Sequence, residues 1–247
     1  MTLVEKAYQI VDLAKKRGIT LRLLGALAIR IHCQSFCFLH DRTGRVLTDI
    51  DLIGLSKQWG KIVELLKELG YKLDKRILFK QADRIVADSP DEGVHVDVFF
   101  DKLEMCHTID LRKRLHLDYP TLTVSDLLLE KIQIVKITEK DLIDLTMLIR
   151  EHPIGHDDND KINSKYISKI LSNDWGFYYT SINNLRKLQK YVEDSTFLSS
   201  EDKKDVISKI SQLINAIEYE PKSLGWKMRA KLGTKVKWYR EVEDLYR

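Results

Sequence analysis

At 247 residues with a 44% hydrophobic fraction, the chain has enough apolar surface to build one large core or two small ones, which predicts a folded, soluble protein. No apolar run reaches bilayer-spanning length, and Met1-Thr2-Leu3-Val4-Glu5-Lys6 lacks the basic-then-apolar layout of a signal peptide. Membrane insertion is therefore not expected, and the cytoplasm is the expected compartment. Three cysteines, Cys33, Cys37 and Cys106, are an odd number that does not suggest a disulfide framework. The net charge of +4 is unevenly placed, because residues 221–247 hold eight Lys or Arg against three Asp or Glu.

Thr2 and Glu5 have capping-box spacing, apolar residues then recur at helical intervals through Leu13 and Ala14, and Gly18 suits a helix stop, so the chain opens on a helix. Leu21-Arg22-Leu23-Leu24 reads as a short strand broken by Gly25, with Ala26 to His32 continuing as a helix. After an irregular stretch around Asp41 to Arg45, residues 47–55 read as a strand. Ser56 then suits the cap of a helix with Ile62, Val63, Leu65, Leu66 and Leu69 on its inner face, ended by Gly70. Residues 77–79 and 84–87 are short strand candidates, and a turn at 89–93 leads into a strand over 94–100. Ser125 and Thr138 suit the caps of two helices, running to about Lys136 and Glu151.

The polar run His152-Pro153-Ile154-Gly155-His156-Asp157-Asp158-Asn159-Asp160 predicts a domain boundary. Beyond it the apolar spacing is helical over 162–171, 182–192 and 206–217. The expectation is an α+β chain: a small mixed sheet flanked by helices over residues 1–152, then a mainly helical C-terminal domain over 153–247 with a basic, aromatic tail.

Alternation along a strand puts residues i and i+2 on one face, so Asp49 and Asp51 would point the same way while Ile50 faces the other side. Asp97 lies in a second strand, Val94-His95-Val96-Asp97-Val98-Phe99-Phe100. Three acids on neighbouring strands are an oxygen donor set suited to magnesium, and phosphoryl chemistry uses such ions to neutralise charge on phosphate oxygens. Gly25, at a strand-to-helix turn, would let backbone N–H groups approach a triphosphate.

These motifs in order resemble those of the nucleotidyltransferase-fold superfamily, to which DNA polymerase beta and kanamycin nucleotidyltransferase belong, and most of all its abortive-infection toxin branch. Gly25-Ala26 matches the glycine motif, Asp49-Ile50-Asp51 the acid-x-acid strand and Asp97 the third acid. Ser125 to Lys131 and Glu139-Lys140-Asp141-Leu142-Ile143-Asp144-Leu145 resemble the family's lysine helix and Lys-Asp-x-x-Asp helix. The resemblance implies a nucleotidyltransferase that moves a nucleoside monophosphate from an NTP to an acceptor and releases pyrophosphate. It assigns Asp49, Asp51 and Asp97 to two magnesium ions and to catalysis, with Asp97 as a base on the acceptor. It assigns Gly25, Ala26, Lys131, Lys140 and Asp141 to the nucleotide. The toxin branch implies tRNA or another RNA as acceptor and an antitoxin protein as partner, whereas antibiotic-modifying members imply a small molecule or a protein side chain. Two features depart from the pattern: Ala26 stands where many members carry Ser or Gly, and the spacer from Gly25 to Asp49 is longer than in minimal members.

Arg42 and Arg45 precede the acidic strand, where Arg45 would grip phosphate or pair with the acids. Cys33, Cys37, Cys106 and His107 lack the ligand spacing of a zinc site, and buried thiols are the expectation for the cysteines. In the tail, Trp226 and Trp238 interleave with Lys222, Lys227, Arg229, Lys231, Lys235, Lys237 and Arg240, a composition that suits either an RNA-contacting surface or aromatic anchoring with solvated lysines. The alternative to an enzyme is a nucleotide- or RNA-binding module on the same fold, favoured by Ala26 and opposed by three mutually repelling carboxylates.

Overall fold

Turn chemistry and apolar spacing build the N-terminal helix much as the sequence dictates. The computed structural model describes residues 1–74, 84–89 and 93–242. In α1 (Leu3–Lys16) the Thr2 hydroxyl accepts the Glu5 N–H at 3.2 Å and the Glu5 carboxylate accepts the Thr2 N–H at 2.7 Å, so two end donors are satisfied reciprocally. Ala7, Ile10, Val11 and Ala14 form its fully buried stripe.

The chain divides into two compact units, Met1–His32 with Val46–Leu103 and Asp110–Thr123, and Cys33–Arg45 with Glu104–Ile109 and Val124–Arg247. In the first unit, β1 (Leu21–Leu24), β2 (Asp49–Gly54), β3 (Lys72–Leu73), β4 (Arg84–Asp88) and β5 (His95–Phe100) form one sheet in the order β1-β2-β5-β4-β3. β2 and β5 run parallel, whereas β1–β2, β5–β4 and β4–β3 are antiparallel pairs. Leu21, Leu23, Ile50, Leu52, Val96, Val98, Ile85 and Ala87 are all buried and alternate along their strands onto one face. Helix α1 packs on β1 and β2, and α2 (Gly25–His32) follows β1 directly.

Several boundaries differ from the sequence reading. Ser56 does not cap a helix: its N–H and hydroxyl both donate to the Asp101 carboxylate, at 3.1 and 2.5 Å, and a 3₁₀ turn, Ser56–Gln58, precedes the helix Trp59–Glu68. The strand candidate at 77–79 lies outside the described residues, as do residues 90–92 of the expected turn. The strands at 84–87 and 94–100 are present as β4 and β5 and pair antiparallel, so they form the two arms of a hairpin.

The second unit is mainly helical. Its helices, with numbering continued along the chain past Trp59–Glu68 as α4, are α3 (Phe38–Arg42), α5 (Val124–Ile132), α6 (Glu139–Glu151), α7 (Ser164–Leu171), α8 (Trp175–Asp194), α9 (Ser200–Tyr219) and α10 (Leu224–Leu232). The α+β class expected from the sequence is the one observed, a small mixed sheet with flanking helices and a helical C-terminal region. Helix α5 starts one residue before Ser125, whose hydroxyl instead accepts the Asn163 N–H at 2.8 Å. It stops at Ile132 rather than near Lys136, because the Asn184 side-chain amide donates to the carbonyls of Ile132 and Ile134 at 3.0 and 2.7 Å and satisfies the helix end. Helix α8 begins before the predicted periodicity, at Trp175, and is capped by Asp174, whose carboxylate accepts the Phe177 N–H at 2.9 Å. Among the described residues, no helix is long and apolar enough to cross a membrane.

Candidate functional site

In the first unit, β2 and β5 run parallel with Asp51 level with Asp97 and Asp49 level with His95. Lateral partners in a sheet share a face, so Asp49, Asp51 and Asp97 lie together on the face opposite Ile50, Leu52, Val96 and Val98. Asp49 is exposed and makes no hydrogen bond or ion pair among the described residues, Asp51 is half-buried, and Asp97 is buried. Gly25 starts α2 with φ at +74°, a backbone conformation that β-carbons disfavour. A β-carbon there would overlap the Asp51 Oδ2 atom and lie 3.2 Å from its Cγ, so the absence of a side chain makes room for the carboxylate. Ala26 follows in the first turn, half-buried.

Asp97 has a partner that sequence reasoning missed. Arg84 on β4 donates from Nε to Oδ1 at 3.1 Å and from Nη2 to Oδ2 at 2.5 Å, a two-point grip on both carboxylate oxygens. The Arg84 guanidinium also lies 5.0 Å from the centre of the Phe99 ring. His95, on the same face, places Nδ1 2.6 Å from Asp88 Oδ1 and Nε2 3.9 Å from Asp97 Oδ2. Alternation over 84–87 puts Arg84 and Val86 on one face, but only the β4–β5 register tells which face and which acid.

The second unit holds the other set. Lys131 on α5 is buried, with Nζ 3.1 Å from Asp141 Oδ1 and 2.9 Å from Asp144 Oδ2. Asp141 and Asp144 are three apart on α6 and so project from one face of that helix. Asp141 Oδ2 also accepts the Thr138 N–H at 3.1 Å and closes the cap of α6. Asp144, fully buried, receives His40 Nε2 at 2.8 Å on Oδ1, and Arg45 Nη2 lies 3.7 Å from Oδ2. Burial works against the charge of Lys131, but Asp144, Asp141 and Glu130 outweigh it and hold the ammonium above its ordinary range. Burial likewise opposes ionisation of Asp144, and Lys131, His40 and Arg45 overcome it and bring the carboxyl down to about 2.

Of the residues singled out in the sequence, the structure gathers Gly25, Asp49, Asp51 and Asp97 in the first unit and Arg45, Lys131 and Asp141 in the second. Lys140 stands apart from that cluster, exposed on α6 and without an ion pair among the described residues. His40 carried no signal in the sequence, because a lone histidine in an irregular stretch has no period to place it.

The tail is docked by its aromatic residues. Trp226 meets Tyr178 edge-on with ring centres 5.1 Å apart, Trp238 Nε1 donates to the Thr180 hydroxyl at 3.1 Å, and Arg229 lies 4.8 Å from the Trp175 ring. Lys227, Lys231 and Lys235 are exposed and form no ion pair among the described residues. All three cysteines are free; Cys33 is buried as expected, whereas Cys37 and Cys106 are only half-buried.

No protein-family model matches the chain, and no curated protein matches it. A solved structure of similar form is that of the antibiotic-resistance factor ANT(2'')-Ia, 13% identical, with a TM-score of 0.41 over 68% of this chain and 93% of that one.

Proposed function

We propose that the chain is a metal-dependent nucleotidyltransferase, which moves a nucleoside monophosphate from an NTP to an acceptor with release of pyrophosphate. The observation that carries this reading is the level pairing of Asp51 with Asp97, with Asp49 on the same face and Gly25 leaving room beside Asp51. The donor set is carboxylate oxygen throughout, which suits a hard divalent cation such as magnesium over zinc or copper. Asp49 and Asp51 would hold the metal, with Asp97 completing the set. When bound, magnesium supplies charge neutralisation at the phosphate oxygens. Asp97 would also accept the proton of the attacking acceptor hydroxyl. The first turn of α2, behind Gly25, offers backbone N–H donors to phosphate oxygens; Ala26 adds no hydroxyl to them.

For the acceptor we propose RNA. Lys227, Lys231 and Lys235 are exposed and without an ion pair among the described residues, while Trp226 and Trp238 are half-buried and engaged by Tyr178 and Thr180. Binding would then be dominated by phosphate contacts and weaken steeply as salt rises.

One observation favours a second reading, a nucleotide-binding module without turnover: Arg84 already engages both oxygens of Asp97. Incubation with each labelled NTP, magnesium and total cellular RNA separates the two. Transfer by the wild type that is lost in Asp49→Ala/Asp51→Ala supports the enzyme. NTP binding with no label passing to RNA, protein or small molecules supports the module.

A further inference from the structure

The sheet of the first unit carries a histidine beside its three acids. His95 precedes Asp97 by two residues on β5, so both side chains share a face, and it stands level with Asp49 across the parallel β2–β5 pair. On its other side it stands opposite Asp88, across the antiparallel β4–β5 pair. We infer that His95 is a nitrogen ligand of the divalent-cation site, aimed by Asp88, and that the site therefore takes Mn²⁺ in preference to Mg²⁺. The inference rests on the metal-dependent reading above and deepens it.

The contact with Asp88 decides which ring nitrogen is offered. A carboxylate only accepts, so the 2.6 Å contact is a donation from His95 Nδ1 to Asp88 Oδ1, and in the neutral ring Nε2 then carries the lone pair. Nε2 lies 3.9 Å from Asp97 Oδ2, beyond hydrogen-bond reach. Two ligands of one octahedral ion, each about 2.1 Å from it, stand roughly 3 to 4.2 Å apart, so this gap has the width of one between two ligands. A metal-bound histidine characteristically gives its other N–H to a carboxylate, which fixes the tautomer and the plane of the ring. Asp88, His95 and Asp97 stand in that order on adjacent strands.

Asp97 keeps capacity for a cation despite Arg84. Its two oxygens offer about four lone-pair positions, and Arg84 takes one on each. Stability does not account for the pairing of His95 with Asp88: the Asp88 side chain is 63% exposed, and an ion pair so open to water contributes little to folding. What the pair does provide is a fixed ring. The donor chemistry then sets the choice of metal. Carboxylates alone suit Mg²⁺, whereas imidazole is a ligand of transition metals, and one nitrogen among oxygens moves the preference to Mn²⁺, which accepts both.

The test titrates Mn²⁺ and Mg²⁺ calorimetrically into wild type, His95→Gln, Asp88→Ala and Asp49→Ala/Asp51→Ala, and measures each Mn²⁺-loaded protein by pulsed electron paramagnetic resonance for nitrogen modulation from a bound imidazole. The wild type is expected to show that modulation and to bind Mn²⁺ about tenfold tighter than Mg²⁺. His95→Gln is expected to lose the modulation and about tenfold in Mn²⁺ affinity, with Mg²⁺ affinity within about threefold of wild type. Asp88→Ala is expected to keep the modulation but to bind Mn²⁺ about tenfold or more weakly, as the loss of a group that orients a ligand does. Should His95→Gln fail to fold, His95→Ala takes its place. Mn²⁺ binding that depends on Asp49 and Asp51 but shows no imidazole modulation, or keeps it in the His95 variant, overturns the inference and leaves the enzymatic reading intact. A wild type in which neither cation binds in a way that Asp49→Ala/Asp51→Ala abolishes overturns both.

Discussion

The Asp51 carboxylate lies against the Cα of Gly25, in space that a β-carbon would fill. Two restrictions therefore meet at one residue, the left-handed φ of +74° and the steric contact with Asp51. Gly25→Ala is expected to cost about 1–3 kcal/mol of stability from backbone strain. Its effect on transfer is expected to be larger, a loss of about a hundredfold or more, because Asp51 must move and a displacement of about 1 Å at a reacting centre carries that penalty. Thermal melts and label transfer measured side by side check this. A Gly25→Ala variant with wild-type turnover would show that the position of Asp51 is immaterial.

Arg84 bears on the charge of the acidic face. Removing its guanidinium leaves Asp97 without its two-point partner, so the face of Asp49, Asp51 and Asp97 gains one net negative charge. Arg84→Met is expected to tighten Mn²⁺ or Mg²⁺ binding about fivefold, corresponding to roughly 1 kcal/mol for one unit charge at short range in a well-solvated setting. Asp97→Asn in the same titration is expected to weaken it. Unchanged cation affinity in Arg84→Met would place the divalent site away from Asp97.

Much of this was readable from local chemistry. The capping box of Thr2 and Glu5, the Gly25 break and the buried face of β2 follow from spacing alone, since each depends on residues a few positions apart. The pairing of Asp51 with Asp97 was readable only as two acids on neighbouring strands, because strand direction and register depend on long-range packing. Arg84 and His40 were not legible for the same reason: their partners lie 13 and 104 residues away. Ser56 and Ser125 misled because a serine before an apolar run is a good cap only when no stronger partner is near, and here Asp101 and Asn163 take them.

Asp144 ties the second unit to acid pH. Its carboxyl is near 2 in the folded protein against about 3.9 in the unfolded chain, so the stability it contributes is present above about pH 4 and is lost as pH falls toward 2. The contribution is about 2 kcal/mol, given its burial and its three cationic or donor neighbours. Asp144→Asn at neutral pH is expected to cost more, about 3–5 kcal/mol, because it leaves Lys131 buried with one carboxylate fewer. Urea unfolding from pH 2 to 7 checks both: the variant should be weaker throughout and show a shallower loss below pH 4.

His107 produces a second, separate acid response. Burial lowers its imidazole to about 4, with Asp174 opposing and Arg240 adding to the shift. The ring stacks on Phe177 at 4.9 Å and its Nε2 is 2.9 Å from the Thr180 hydroxyl. For a histidine whose folded value is depressed, the stabilisation is present above the unfolded value of about 6.5 and is lost as pH falls toward 4, amounting to about 3 kcal/mol. His107→Gln, which cannot titrate, is expected to be less stable at pH 7 but to lose little further stability between pH 6.5 and 4. A wild-type slope in that window for the variant would assign the response to another group.

The docking of the tail depends on Gly176. A β-carbon there would overlap the Trp238 carbonyl oxygen and lie 3.4 Å from the carbonyl carbon, and a backbone neighbour cannot swing aside as a flexible side chain can. Gly176 sits in the first turn of α8, where alanine is by itself the better helix former by about 1 kcal/mol. The two effects thus act on different parts of the molecule. Gly176→Ala is expected to keep or raise the stability of α8 while freeing Trp238 from the Thr180 hydroxyl. Limited proteolysis should cut the variant between Gly233 and Arg240 at a rate the wild type does not show, and Trp fluorescence should shift toward that of exposed indole. If the tail stays protease-resistant in Gly176→Ala, the Trp226 contact with Tyr178 and the Arg229 contact with Trp175 are sufficient to hold it.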